Sequence, residues 1–241
     1  MILTFLGTRG YIDACTPQHR MHSALLVAHR GKRVMVDCGE DWLGKLGGMR
    51  LHAIVITHAH PDHAWGLKHG SPCPIYATGP AWGAMTRFPI RSDQRRLIRP
   101  WSRTHIAGLT VEAIPVEHSL RAPAVGYRIR TGRGWLFYVP DVIGIPRAKA
   151  ALPHVQLYIG DGASVVRPIV RRRDHVRIGH ASIREQLAWC DRADVRRAIF
   201  THCGTQIVAG PAAQPARVAA MGREYDIDAQ IAYDGMKLRI L

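Results

Sequence analysis

At 241 residues the chain can bury one sizeable core, and we read it as a single domain spanning 1–241. A composition of 47% hydrophobic and 21% charged residues excludes a disordered chain, and five scattered cysteines without a C-x-x-C pair exclude a disulfide framework or thiolate zinc site. The excess of 33 Lys and Arg over 18 Asp and Glu leaves +15 with histidine neutral, a field that attracts phosphates, nucleic acids or an acidic surface.

Apolar β-rich runs open the chain at 2–6, 23–28 and 33–37, with a turn at His29-Arg30-Gly31-Lys32. The start MILTFLGTRG lacks the basic and long apolar stretches of a signal peptide, and no run nears the roughly 18 apolar residues of a membrane span, so the expectation is a cytoplasmic protein with no membrane partner. Residues 41–46 read as a helix ending at Gly47-Gly48, and 53–57 as a wholly apolar strand that runs into His58-Ala59-His60-Pro61-Asp62-His63. A short strand at 74–77 and a helix at 79–87 precede an arginine-rich stretch, 87–103, without readable periodicity. The strand 109–117 alternates and leads to His118, and 124–130 with 134–139 predict a hairpin that leads to Asp141. A strand at 155–159, a helix at 183–190, a strand at 197–201 leading to His202, a helix at 211–225 and strands at 230–233 and 236–241 complete the chain. Strands in both halves with interspersed helices predict an α/β protein with two sheets covered by helices.

The histidine cluster carries chemistry. Side chains 58 and 60 share one face where strand geometry persists, and Asp62 and His63 fall in the turn beyond. Imidazole nitrogen and carboxylate oxygen are ligands for borderline cations such as Zn²⁺ at roughly 2.0 to 2.2 Å. Fourteen histidines make clustering alone weak, but the spacing H-x-H-x-D-H directly after an apolar strand is specific.

Thr57-His58-Ala59-His60-Pro61-Asp62-His63 resembles the T-H-x-H-x-D-H motif of the metallo-beta-lactamase superfamily. The resemblance implies an αββα four-layer sandwich and two divalent metal ions, Zn²⁺ or Mn²⁺. It implies His58, His60, His118 and Asp141 on one ion and Asp62, His63, Asp141 and His202 on the other. It also implies hydrolysis by a metal-bridging hydroxide, oriented by Asp62, and homodimers such as relatives form.

Phe5-Leu6-Gly7-Thr8-Arg9-Gly10 and Asp37-Cys38-Gly39-Glu40 resemble the branch holding ribonuclease Z and the cyclic-phosphate phosphodiesterases, and place Asp37 behind the ligands. Gly179-His180-Ala181-Ser182, read as opening a helix, is similar to the segment with the extra histidine of those phosphodiesterases, which makes His180 the general acid for the departing oxygen. The long arm of ribonuclease Z belongs between the positions of His118 and Asp141, where only a compact hairpin fits, so the leading substrate is a small or cyclic phosphodiester. The alternatives are a carboxylic ester, lactone, thioester or beta-lactam hydrolase, which would not need His180, a nuclease acting on RNA or single-stranded DNA, a nucleic-acid-binding protein with an idle metal site, and a role in cofactor biosynthesis. Asp161 and Ser164 are expected to line the pocket, Trp65 is as well placed for core as for substrate wall, and Cys38 and Cys203 read as small buried residues. His105, His154 and His175 lack companions that would make them ligands.

Overall fold

A computed structural model describes residues 1–174, 176–210 and 212–240. In chain order the strands are β1 (Ile2–Gly7), β2 (Ala24–His29), β3 (Lys32–Val36), β4 (Ala53–Val55), β5 (Ile75–Ala77), β6 (Arg95–Leu97), β7 (Arg103–Ile106), β8 (Leu109–Val116), β9 (Ala124–Arg130), β10 (Trp135–Tyr138), β11 (Val155–Asp161), β12 (Ile169–Arg173), β13 (Val176–His180), β14 (Arg197–Thr201), β15 (Asp228–Ile231) and β16 (Lys237–Arg239). The α-helices are α1 (Pro61–Ala64), α2 (Gly79–Ala84), α3 (Ala148–Ala151), α4 (Ile183–Arg192), α5 (Thr205–Val208) and α6 (Gln214–Arg223).

Two seven-stranded mixed sheets form, ordered β16-β1-β2-β3-β4-β5-β6 and β15-β14-β11-β10-β9-β8-β7. Strand alternation sends Leu3, Phe5, Val27, Val36 and Val55 of the first sheet against Val111, Ala113, Tyr127, Leu136, Tyr138 and Ile159 of the second. The opposite faces are closed by helices and turns. Met35, Ile54 and Ile56 pack under Trp42, Leu67 and Met85, while Phe137, Tyr158 and Phe200 pack under Leu187 of α4 and Val218 and Met221 of α6. The result is the expected α/β four-layer sandwich. Among the described residues, no helix is long and apolar enough to cross a membrane.

Two expectations need correction, and the stretch without readable periodicity finds its place. Residues 41–46 hold only a 3₁₀ turn at Glu40–Trp42, because Gly44 leaves the helical region at φ +74°. The arginine-rich stretch is the crossing between sheets: β6 is the edge of one, β7 the edge of the other, and Trp101 turns between them at φ +61°. Apart from Ile90 and Ile98, which are buried, most of its side chains face solvent, which is why it shows no period. His180 does not open a helix but ends β13, in a two-stranded hairpin with β12 that sequence periodicity did not reveal. The helix expected at 211–225 is α6, and the last strand is β16; Pro211 and Leu241, at the ends of those expectations, and His175 lie outside the described residues.

Candidate metal centre

In the second sheet β10, β11 and β14 run parallel, and β8 points the same way across antiparallel β9, so the ends of all four open on one edge. The end of β4 joins them through the Val125 N–H, which donates to the Thr57 carbonyl at 3.2 Å. Loops leaving strand carboxyl ends are the ordinary place for an α/β site. Beyond β4 the chain bends at Thr57, His60 is extended at φ −67° and ψ 158°, and Pro61 then starts α1 at its first position, with its φ already suited to a helix. This switch swings Asp62 and His63 away from His58 and His60, so one short motif serves two points.

The geometry has two foci. His58 Nε2 lies 2.9 Å from His60 Nδ1, which lies 3.3 Å from His118 Nε2. Nitrogens at the corners of a tetrahedron of radius about 2.0 to 2.1 Å stand about 3.3 Å apart, so the three rings fit a cation between them. At the second focus, Asp62 Oδ2 is 3.2 Å from His63 Nε2 and 3.0 Å from His202 Nε2. Asp141 joins the foci: Oδ1 is 3.4 Å from His202 Nε2, while Oδ2 lies against His63 Nε2 and 3.7 Å from His58 Nε2. His63 Nε2 and Asp141 Oδ2 are buried and lie against each other, with no well-formed hydrogen bond between them or to another group among the described residues. Buried polar atoms left unpaired and converging with neutral imidazoles are what a cation would satisfy.

Backing groups fix which ring nitrogen faces inward. Asp37, wholly buried at φ +62°, accepts the Nδ1–H of His63 at 2.8 Å and the Thr57 hydroxyl at 2.8 Å. That hydroxyl in turn lies 3.1 Å from His58 Nδ1, so one carboxylate orients both rings with Nε2 toward the foci. His118 donates from Nδ1 to the Gly179 carbonyl at 3.0 Å, to the same effect. Two glycines of the sequence motifs hold space: a Cβ on Gly39 would collide with the Asp62 backbone, and one on Gly10 would come 3.1 Å from the His202 ring.

Burial pushes His58, His60 and His118 down, His60 to about 4, so these rings are neutral ligands at neutral pH. Burial would raise Asp62 and Asp141, but the adjoining His63 and His202 hold both well below the usual carboxylate range. Burial likewise opposes charge on His63 and His202, yet the carboxylates win, holding His63 well above its ordinary value and His202 at about 9. In the metal-free protein protons therefore occupy the second focus, and a cation binding there must displace them.

His180 stands beside both foci. Its Nδ1 is 2.8 Å from Asp161 Oδ2 and 3.2 Å from Asp141 Oδ1, and its ring stacks on His202 at 5.4 Å between centroids. Burial disfavours its charge, but Asp161 and Asp141 keep it protonated, well above its ordinary value. Asp161 does not line the pocket as expected. It is buried beneath His180, accepting from the backbone of Val142 and Ala163, and Gln186 clamps its main chain. Gln186 carried no sequence signal, since a single glutamine on a helix is ordinarily solvent-facing.

Above the foci lies a cleft of about 910 Å³, lined by His60, Asp62, His118, Asp141, His180 and His202 at its floor and by Tyr11, Ser164, Arg167, Ile169 and Arg171 higher up. The seven expected ligands and His180 thus lie together around the two foci, while Asp161 lies beneath them. Trp65 is outside the cleft, capped by the Lys68 ammonium at 3.1 Å, and Cys38 and Cys203 are buried, with burial raising both thiols. Among the described residues, the His105 ring has the Thr110 hydroxyl as its hydrogen-bond partner.

Residues 32–203 match the family model described as a beta-lactamase superfamily domain. Among curated proteins, the chain is 27% identical to a ribonuclease Z of Methanopyrus kandleri, covering 100% of this chain and 98% of that protein. Among solved structures, it is similar to the metallo-beta-lactamase fold protein YhfI from Bacillus subtilis (TM-score 0.73, 17% identity, 98% of each chain). It is also similar to a diphosphatase from the PhnP family (TM-score 0.71, 18% identity, 100% of this chain and 98% of that one).

Proposed function

Because this chain belongs to the beta-lactamase superfamily, we propose that it is a metal-dependent phosphodiesterase acting on a small or cyclic phosphodiester. His58, His60 and His118, with Asp141 3.7 Å from His58, would hold one ion, and Asp62, His63, Asp141 and His202 the other. When bound, two divalent cations polarise the phosphoryl oxygen and make water a competent attacker near neutral pH. Nitrogen and carboxylate donors in these numbers suit Zn²⁺ and Mn²⁺.

The observation that carries the reading is His180. Its Nδ1–H is tied to Asp161, its Nε2 has no protein partner among the described residues, and its ring lines the cleft beside the foci. A protonated ring so placed gives its proton to the oxygen that leaves phosphorus, and Asp161 keeps that ring oriented while it does so. Ester, lactone and beta-lactam hydrolysis does not require this dyad, so dependence of turnover on it separates the readings. Asp62, oriented by His202, faces the cleft floor and positions the attacking water. The likeness to a ribonuclease Z and to a PhnP-family diphosphatase supports phosphorus as the reacting atom.

A second reading, a nuclease acting on RNA, draws support from the full-length likeness to ribonuclease Z. Against it stands the span between His118 and Asp141, which holds only the paired strands β9 and β10 and a short loop into Asp141. We also propose a homodimer in the cytoplasm. The test is turnover of bis(p-nitrophenyl) phosphate, a lactone, a beta-lactam and a short RNA by metal-loaded protein and its His180→Ala variant. Turnover of a diester with a poor alkoxide leaving group, assayed alongside, that drops by about 10²-fold or more in the variant, against a much smaller drop for bis(p-nitrophenyl) phosphate, supports the reading. Lactone or lactam turnover indifferent to His180 overturns it, and RNA cleavage without small-diester turnover selects the second reading.

A further inference from the structure

Asp141 and Asp161 reach the site from neighbouring strands, the first just beyond β10 and the second at the end of β11. These strands run parallel, and their ladder extends to the Val139 N–H, which donates to the Ile159 carbonyl at 2.8 Å. In a parallel ladder the next rung would join the Asp161 N–H to the Val139 carbonyl and the Asp141 N–H to the Asp161 carbonyl. Neither bond forms among the described residues. The Gln186 carboxamide of α4 takes both places: its Oε1 accepts the Asp161 N–H at 2.9 Å, and its Nε2–H donates to the Asp161 carbonyl at 2.7 Å.

Gln186 is wholly buried, as are its partners Asp161 and Tyr158. The Tyr158 hydroxyl donates to the same Oε1 at 3.0 Å, which fixes the orientation of the carboxamide. Between the two partners β11 carries Gly160, where a Cβ would collide with both the Tyr158 ring and the Gln186 carboxamide. A side-chain amide standing in for a strand is demanding in a core, since each of its polar atoms must be matched. Its effect is visible in the chain it displaces. Beyond Val139 the chain turns away and carries Asp141 to the foci, and Val142 then returns to Asp161 by donating its N–H to the carboxylate Oδ2 at 3.0 Å. That same oxygen lies 2.8 Å from His180 Nδ1.

From this arrangement we propose that Gln186 is a positioning residue: by replacing one rung between β10 and β11 it parts the two carboxylates, so that Asp141 serves the metal foci while Asp161 holds His180 for proton donation. Gln186 touches neither metal nor substrate and acts through Asp161. The role rests on the phosphodiesterase reading for the proton that His180 delivers, whereas the placement of the ring does not. Replacing Gln186 by Met keeps length and burial but leaves the Asp161 N–H and carbonyl without partners, which frees the end of β11.

Two readouts test the role. The first is proton NMR of the zinc-loaded protein, following the His180 Nδ1–H resonance, assigned by its loss in His180→Ala. This proton is protected from exchange in the wild type, and in Gln186→Met it is expected to move upfield and exchange faster, with a smaller change in Tyr158→Phe, which keeps both bonds to Asp161. The second is the ratio of kcat for adenosine 2′,3′-cyclic phosphate, whose leaving group is an alkoxide, to kcat for bis(p-nitrophenyl) phosphate. That ratio is expected to fall by about 10-fold or more in Gln186→Met and by about 2- to 3-fold in Tyr158→Phe, with bound metal unchanged. Gln186→Glu, which keeps the acceptor and loses the amide donor, falls between them, and Gln230→Met on β15 changes neither readout. A wild type without a protected His180 resonance, a resonance unmoved in folded Gln186→Met, or equal losses on both diesters overturns the role. Should Gln186→Met fail to fold, Gln186→Glu and Tyr158→Phe decide by the same criteria. If the resonance moves as expected and the wild type cleaves neither diester, the positioning of His180 stands and the phosphodiesterase reading falls.

Discussion

Asp141 and Asp161 are two buried carboxylates only a residue's width from the same imidazole, and they are assigned different work by what else they touch. Asp141 presents its oxygens to His58, His63 and His202, so it is the group shared by both foci. Asp161 accepts from backbone N–H groups and His180 and stands 3.7 Å from His202 Nδ1, so it backs the rings rather than joining the foci. Replacing Asp141 by Asn is expected to lower bound metal from about two ions per chain to about one or none, as read by elemental analysis after dialysis. Replacing Asp161 by Asn leaves metal content intact but removes the acceptor that orients His180. The expected loss is on the order of 10²–10⁴ in kcat for a diester with a poor leaving group, with KM nearly unchanged. For a p-nitrophenolate leaving group, which departs without a proton, the loss is much smaller. Equal losses on both substrates would show that Asp161 supports the fold rather than proton donation.

At the scale of elements, short secondary structures do the positioning, and their ends can be tested. Helix α4 begins with a capping box: the Ser182 hydroxyl accepts from the Glu185 N–H at 3.2 Å, and the Glu185 carboxylate accepts from the Ser182 N–H at 2.9 Å. Ser182 follows His180 by two residues, so the cap also sets where β13 ends. Ser182→Ala is expected to cost about 1 kcal/mol in urea denaturation. The loop between β1 and β2 is pinned differently, through Asp41, which accepts from Arg9 at 2.8 Å and from the His22 N–H at 2.9 Å. Burial, reinforced by Arg9, pushes His22 down to about 4 despite Asp41. Since the folded value lies below the unfolded 6.5, the folded chain takes up this proton less readily. Stability from His22 is intact above pH 6.5 and declines as pH falls toward about 4, by at most about 3 kcal/mol before solvent screening. Metal-free protein should show this decline in thermal unfolding between pH 6.5 and 4, and His22→Asn should flatten it. A decline of the same slope in the variant would assign the effect to other histidines.

For the whole molecule, the sequence disclosed what depends on spacing and hid what depends on contact. The run His58 to His63 was legible because a strand's alternation followed by Pro61 dictates where each donor points. His118, Asp141 and His202 were legible because each ends an apolar strand of readable period. The hairpin β12–β13 was not, because a two-stranded ribbon exposed at Ile169, Val170, Arg171 and Arg172 has no buried face to impose alternation. Gln186 and the buried place of Asp161 were hidden for a related reason: they are defined by partners far off in the chain. What composition did foretell is the field. A net charge of +15, with Arg167 and Arg171 lining the cleft, draws an anionic diester toward the metal foci, and salt screens that attraction as the Debye length contracts from about 30 Å at 0.01 M to about 8 Å at 0.15 M. Across that range kcat/KM for bis(p-nitrophenyl) phosphate is expected to fall roughly several-fold, mostly through KM, while any residual turnover of a neutral ester stays flat. Stopped-flow or steady-state rates at constant metal loading decide it. A diester rate independent of salt would mean that the basic surface serves solubility or another partner, and that the cleft recognises its substrate by contact alone.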